Sequence, residues 1–252
     1  MPHNYFLIIQ YDGTNFAGWQ KQPKEKTVQG LITEVLEKLC GHKVNLIGAS
    51  RTDAGAHATG QVANFKTAKK LKPEIIKKSL FSFLPPQIYI KQVKKVSRYF
   101  QARYSAKKKL YRYIILRRPS PFMPAYSYPY YGKLFLTRMR EAARHLKGQH
   151  NFRSFCDGEI EGKNPMRGIN RITISHRLPP IYRGQNKDVI SVDIEGRSFL
   201  CHMVRIIMGT LIEVGRGKIS PYRVKEILEA KNRRLAGRTL PAKGLFLVRV
   251  YY

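Results

Sequence analysis

The order in which two apolar periods follow one another limits the fold of this chain more than any other feature. Residues 5–11 form a short apolar and aromatic run stopped by Asp12-Gly13, which predicts a strand and a turn. Val28, Leu31, Ile32, Val35, Leu36, Leu39 and Cys40 then recur at helical spacing, with Thr27 placed to cap the helix and Gly41 to stop it. Residues 44–50 and 61–65 are predicted strands. Pro73 opens a second helix, with Ile75, Ile76, Ser79 and Leu80 on one face, and Leu84-Pro85-Pro86 breaks it before a strand over 88–96. The order is β-α-β-β-α-β.

The rest of the chain repeats that order. Tyr111, Tyr113 and Ile115 alternate along a strand, and Leu136, Met139, Ala143 and Leu146 mark a helix ending near Gly148. Residues 169–176 and 189–195 are predicted strands. Phe199, Met203, Ile207, Leu211 and Val214 mark a long helix ending at Gly215, followed by a short helix after Ser220-Pro221 and a last strand over 245–250. The fold class expected is α+β, with two ferredoxin-like or RRM-like βαββαβ halves built on antiparallel sheets. The halves are residues 1–103 and 104–252. Sheets of this topology can carry RNA on an open face.

Charge narrows the partner. The chain has 47 Lys plus Arg against 16 Asp plus Glu, a formal charge of +31, yet its 43% hydrophobic content argues against disorder. Such a field suits a polyanion, with nucleic acid ahead of an anionic membrane. The apolar run at 5–9 is too short for a signal core or membrane span. Cys40, Cys156 and Cys201 are widely spaced with no CxxC, which suits a reducing cytoplasm and supplies neither a disulfide framework nor a zinc knuckle.

Against this background one acid stands out. Asp53 sits in GASRTDAGAHATGQVANF (48–65), and no other acid lies between Glu37 and Glu74. A phosphate loop fails here, because Gln61-Val62 stands where Lys and a hydroxyl residue are needed after Gly55 to Gly60. A glycosidase would need a second carboxyl from a distant segment. Asp53 as a turn residue paired with Arg51 stays open on spacing alone. An acid within a surface for a polyanion nevertheless needs a specific task and cationic neighbours to stay ionised.

The loop and four other segments together resemble the TruA family of tRNA pseudouridine synthases. The segments are YDGTNFAGWQKQ with TVQG (11–22, 27–30), ARYSAKKKLYRYII (102–115), CHMVRIIMGT (201–210) and AKGLFLVRV (242–250). The resemblance implies isomerisation of uridine to pseudouridine at positions 38, 39 and 40 of tRNA, in the anticodon stem-loop, without cofactor or metal. It implies an active-site cleft between the halves, a homodimer and a cytoplasmic enzyme.

By the same resemblance Asp53 is the catalytic aspartate, and Arg205 pairs with it. Tyr111 stacks on the uracil or takes part in proton abstraction. Arg51 helps displace the target nucleotide, which must leave its stack before chemistry. Leu245 forms an apolar wall. Lys107, Lys108, Lys109 and Arg112 flank the Tyr111 strand as candidate phosphate contacts. Attack at C1′, attack at C6 and removal of a 2′ proton all remain open for Asp53. So do other RNA substrates, and an RNA-binding module without catalysis. Cys201 before His202, and Ser50, depart from the usual family pattern.

Overall fold

The computed structural model describes residues 2–158, 164–176 and 188–252. Its contacts divide the chain into two compact units, one running to Lys107 and taking in Phe246–Tyr252, the other Lys108–Leu245.

The first unit contains β1 (His3–Tyr11), α1 (Val28–Cys40), β2 (Ile47–Gly48), β3 (His57–Thr67), α2 (Pro73–Phe83) and β4 (Ile88–Val96). In its sheet β1 lies between β4 and β3, antiparallel to both, and β2 adds to β3. Tyr5, Leu7, Ile9 and Tyr11 share one face of β1 and are all buried, while Phe6 on the opposite face meets the rings of Phe100 and Tyr252. Each fully buried side chain of this size contributes about 1.5–3 kcal/mol. At the start of α1 the Thr27 hydroxyl accepts the Gly30 N–H at 3.2 Å. At its end Gly41 takes a left-handed conformation, φ 76°, and returns its N–H to the Glu37 carbonyl.

Most of the predicted strand over 44–50 is absent; only Ile47–Gly48 is strand. The flanking backbone is satisfied by α1 side chains instead of a ladder. Gln29 donates to the Leu46 carbonyl at 2.7 Å and Glu37 accepts from the Val44 N–H at 3.1 Å. β3, by contrast, extends well past the expected 61–65, because it is the central strand and is buried almost throughout. Its buried Asn64 is fully engaged: it donates to Asn4 Oδ1 and accepts the Ala102 N–H.

The second unit contains β5 (Lys108–Leu116), β6 (Tyr128–Pro129), α3 (Leu136–His145), β7 (Gly148–Asn151), β8 (Met166–Ser175), β9 (Val189–Gly196), α4 (Met203–Gly215) and α5 (Arg223–Ala230). Its strands run β5-β9-β8-β7, each antiparallel to its neighbour. α4 is apolar and buried over most of its surface, and α3 packs so closely that a Cβ on Gly215 would come within 2.7 Å of Met139 Sδ. The periodic pattern starts at Phe199 but the helix starts at Met203, because His202 is left-handed at φ 55°. The closing strand, β10 (Leu245–Tyr251), pairs in parallel with β3 through Phe246 opposite His57 and Leu247 opposite Ala58.

Candidate active site

Asp53 lies between β2 and β3 in the first unit, half-buried, with Arg51 exposed two residues before it and Thr52 buried. The segment 11–19 holds this loop mainly through its backbone. Trp19 N–H donates to the Thr52 carbonyl at 3.1 Å, and Gly55 N–H donates to the Phe16 carbonyl at 3.3 Å. The Tyr11 hydroxyl and the Thr52 hydroxyl share a buried hydrogen bond of 2.7 Å. Gln61 donates to the Ser50 carbonyl, and Ala56 N–H closes a turn onto the Asp53 carbonyl.

The approach is close enough to require glycine. A Cβ on Gly13 would lie 1.9 Å from the Ala56 carbonyl oxygen, and one on Gly18 would lie 2.6 Å from that of Thr52. Gly18 also has φ 88°. Behind the loop, His57 is 1% exposed and its ring stacks on Phe246 at 4.7 Å. Gly13 N–H donates to His57 Nδ1 at 3.0 Å. Asp12 Oδ1 lies 3.1 Å from the same nitrogen. The outcome is a half-buried aspartate on a backbone fixed from several directions.

In the second unit Tyr111 is buried on β5 at 5% exposure and meets Phe199 edge-on, with ring centroids 5.1 Å apart. Arg205 is half-buried in the first turn of α4. Its Nε donates to the Leu240 carbonyl at 2.6 Å, and Leu240 N–H donates back to the Arg205 carbonyl at 3.3 Å. Tyr113, two residues after Tyr111 on the same face, donates to the Pro241 carbonyl at 2.8 Å. Burial pushes the Tyr113 hydroxyl pKa far upward against the opposing field of Arg205, so it stays a donor. Gly244 lies against that ring: a Cβ there would be 2.8 Å from Tyr113 Cζ. Leu245, buried, follows directly.

The basic residues along β5 differ in what they already hold. Arg112 faces Asp193 across the β5–β9 ladder and binds both of its carboxylate oxygens, at 2.7 and 2.8 Å. That hydrogen bond raises the Arg112 pKa against the effect of burial. Lys108 pairs with Glu195 at 3.1 Å and Lys109 is 9% exposed, whereas Lys107 is exposed.

Several residues of these settings escaped the sequence reading. Thr52 and His57 lie inside the quoted Asp53 motif, and Tyr113 is within YRY, so proximity was the available signal. Asp157 has no such neighbour. Its Oδ1 accepts from Arg233 Nε at 2.7 Å, and its Oδ2 accepts from Thr239 Oγ1 at 2.6 Å and meets His202 Nδ1 at 2.9 Å. Burial opposes the charge, but these hydrogen bonds outweigh it and hold the carboxyl pKa down at about 2. Among the described residues no group of His, Cys, Asp and Glu is arranged to hold a metal ion, and no helix is long and apolar enough to cross a membrane.

A sequence model of the family described as tRNA pseudouridine synthase matches residues 7–105 and 142–252. The chain belongs to this family. Relatives named tRNA pseudouridine synthase A match nearly end to end. The protein of Caldicellulosiruptor saccharolyticus is 43% identical over 255 residues, covering 99% of each chain. That of Thermoanaerobacter sp. (strain X514) is 43% identical over 251 residues, again 99% of each. That of Thermosipho melanesiensis is 41% identical over 250 residues, 98% of this chain and 99% of the relative. The tRNA pseudouridine synthase match includes Arg51, Asp53, Arg205 and Leu245. Tyr111 and the residues 107–112 fall in the unmatched stretch between its two parts. Members of this family are RNA isomerases.

Proposed function

We propose that this chain converts uridine to pseudouridine at positions 38, 39 and 40 in the anticodon stem-loop of tRNA, acting as a cytoplasmic homodimer. The observation that carries the reaction is the nearly end-to-end match to tRNA pseudouridine synthase A relatives together with a half-buried aspartate, Asp53, on a backbone-clamped loop in a strongly basic chain. The site assignments, the anticodon position, the dimer and the two ferredoxin-like halves rest on the resemblance of the quoted motifs.

The reaction rearranges one nucleotide. The N1–C1′ bond breaks, the uracil turns while held, C5 bonds to C1′, the proton on C5 leaves to solvent, and N1 takes up a proton in its place. No electrons and no group pass to a second molecule. Asp53 is the nucleophile or base. Arg205 is its pairing cation. Tyr111 stacks on the uracil or helps remove the C5 proton, and Leu245 walls the base. Arg51, exposed beside Asp53, suits displacement of the nucleotide from its stack. Among the candidate phosphate contacts, exposed Lys107 is better placed than Arg112, whose guanidinium is already occupied by Asp193.

Tritium release from tRNA transcript carrying [5-³H]uridine tests this reading. The wild-type chain should release tritium and Asp53→Asn should release none, at equal tRNA binding. Equal release from both would remove Asp53 from the chemistry. Binding without release by the wild type would leave an RNA-binding protein that is not an isomerase.

A further inference from the structure

Asp157 has no part in the chemistry just proposed, yet its carboxylate gathers three side-chain partners, Arg233, Thr239 and His202. We infer that Asp157 is a positioning residue for Arg205, setting the guanidinium through the two structures that flank it. The inference rests on the proposed isomerase reaction only for its effect on rate.

The first structure is the start of α4. His202 immediately precedes the helix at φ 55°, a conformation that a residue with a Cβ keeps only when its surroundings impose it. Asp157 imposes it from two sides: its Oδ2 meets His202 Nδ1 at 2.9 Å, and its backbone N–H donates to the Cys201 carbonyl at 3.3 Å. Ile206 N–H then bonds the His202 carbonyl at 3.0 Å, so the His202 backbone sets where the first turn begins. Arg205 is on that turn.

The second structure is the acceptor of Arg205. Arg233, bound to Asp157 through Nε, also donates to the Gly237 carbonyl at 3.0 Å and to Thr239 Oγ1 at 2.8 Å. Thr239 donates in turn to Asp157 Oδ2. Residues 237–240 are thereby drawn onto α4, where Gly237 N–H bonds Thr210 Oγ1 at 2.9 Å. The approach is so close that a Cβ on Gly209 would lie 1.9 Å from the Arg238 carbonyl oxygen. The segment ends at Leu240, whose carbonyl accepts Arg205 Nε.

One carboxylate therefore fixes both the turn that carries Arg205 and the carbonyl that orients its guanidinium. An amide in its place would present an N–H where the donors of Arg233, Thr239 or His202 now point. A displacement of Arg205 by a fraction of an ångström would follow, and reactions that depend on alignment are sensitive to that scale.

The test compares wild type, Asp157→Asn and Asp157→Glu as full-length chains. Rate per folded molecule in the tritium assay is read together with the Arg205 Nε–Hε signal in ¹⁵N NMR, assigned by Arg205→Lys. Asp157→Asn should lower kcat about 10- to 100-fold with KM within about twofold, and should move the Arg205 signal. Asp157→Glu, which keeps the charge, should recover part of both. Unchanged kcat per folded molecule, with only a lower Tm, would overturn the inference, as would a fall in kcat with the Arg205 signal in place. If the wild type releases no tritium the proposed reaction fails, while the Arg205 signal still decides the positioning. If Asp157→Asn does not fold, Thr239→Val removes one donor and should give a several-fold fall with the same pattern.

Discussion

The Asp53 loop and the Arg205 turn are held by different kinds of interaction. The first is gripped mainly by backbone hydrogen bonds and by glycines that let two main chains touch, with the Tyr11, Thr52 and Gln61 side chains adding to them, all supplied by residues 11–19 and 48–61. The second is held by charged and hydroxyl side chains brought together from Asp157, His202, Arg233 and Thr239. A backbone grip responds mainly to shape. A carboxylate hub tolerates small changes of shape and depends on its charge. The comparison predicts which perturbation each will feel.

Shape should act hardest on the first. Gly13→Ala forces a Cβ toward the Ala56 carbonyl oxygen, so the backbone around Asp53 must move. The variant should lose about 1–3 kcal/mol of stability and most of its activity, read by chemical denaturation and the tritium assay. A variant with wild-type activity would mean that the loop is not rigid.

Charge should act on the second, by an intermediate amount. The Asp157 carboxyl lies below its ordinary value of 3.8, at about 2, so its contribution is complete above pH 4 and is lost as pH falls toward 2. Wild type should therefore lose stability over that window faster than Asp157→Asn. Parallel denaturation curves for the two would show that the network does not stabilise the fold.

The smallest effect is expected where the two kinds of grip meet in one residue. Tyr113→Phe removes the bond to the Pro241 carbonyl but keeps the buried ring. It should cost about 1 kcal/mol in stability, visible as a lower Tm, and leave KM unchanged.

The same contrast explains what was legible in the sequence. Asp53, its glycines and the YDGTNFAGW segment that clamps them lie in short runs, so one local pattern carried both the fold there and the family. β1, α1, α2 and β4 were likewise readable from period and caps, since the residues that decide them are neighbours. The strand over 44–50 was misread because Gln29 and Glu37, side chains on a preceding helix, take its backbone partners. α4 starts late for a comparable reason: the conformation of His202 is set by a residue far earlier in the chain. Asp157 itself gave no signal, because a hub whose partners span positions 157 to 239 has no period and no spacing. Arg112 looked like a free cation on a strand until its cross-strand partner, Asp193, was known.

The path of the chain adds a constraint on when the enzyme can become active during its own synthesis. Residues 108–245 interrupt the first unit, which is finished only by Phe246–Tyr252. Phe246 supplies the ring that lies on His57, directly behind the Asp53 loop. The segment that carries the carboxylate thus leaves the ribosome well before the strand that supports it from behind. A chain cut before Phe246 would carry every residue of the Asp53 motif and lack the strand that backs it.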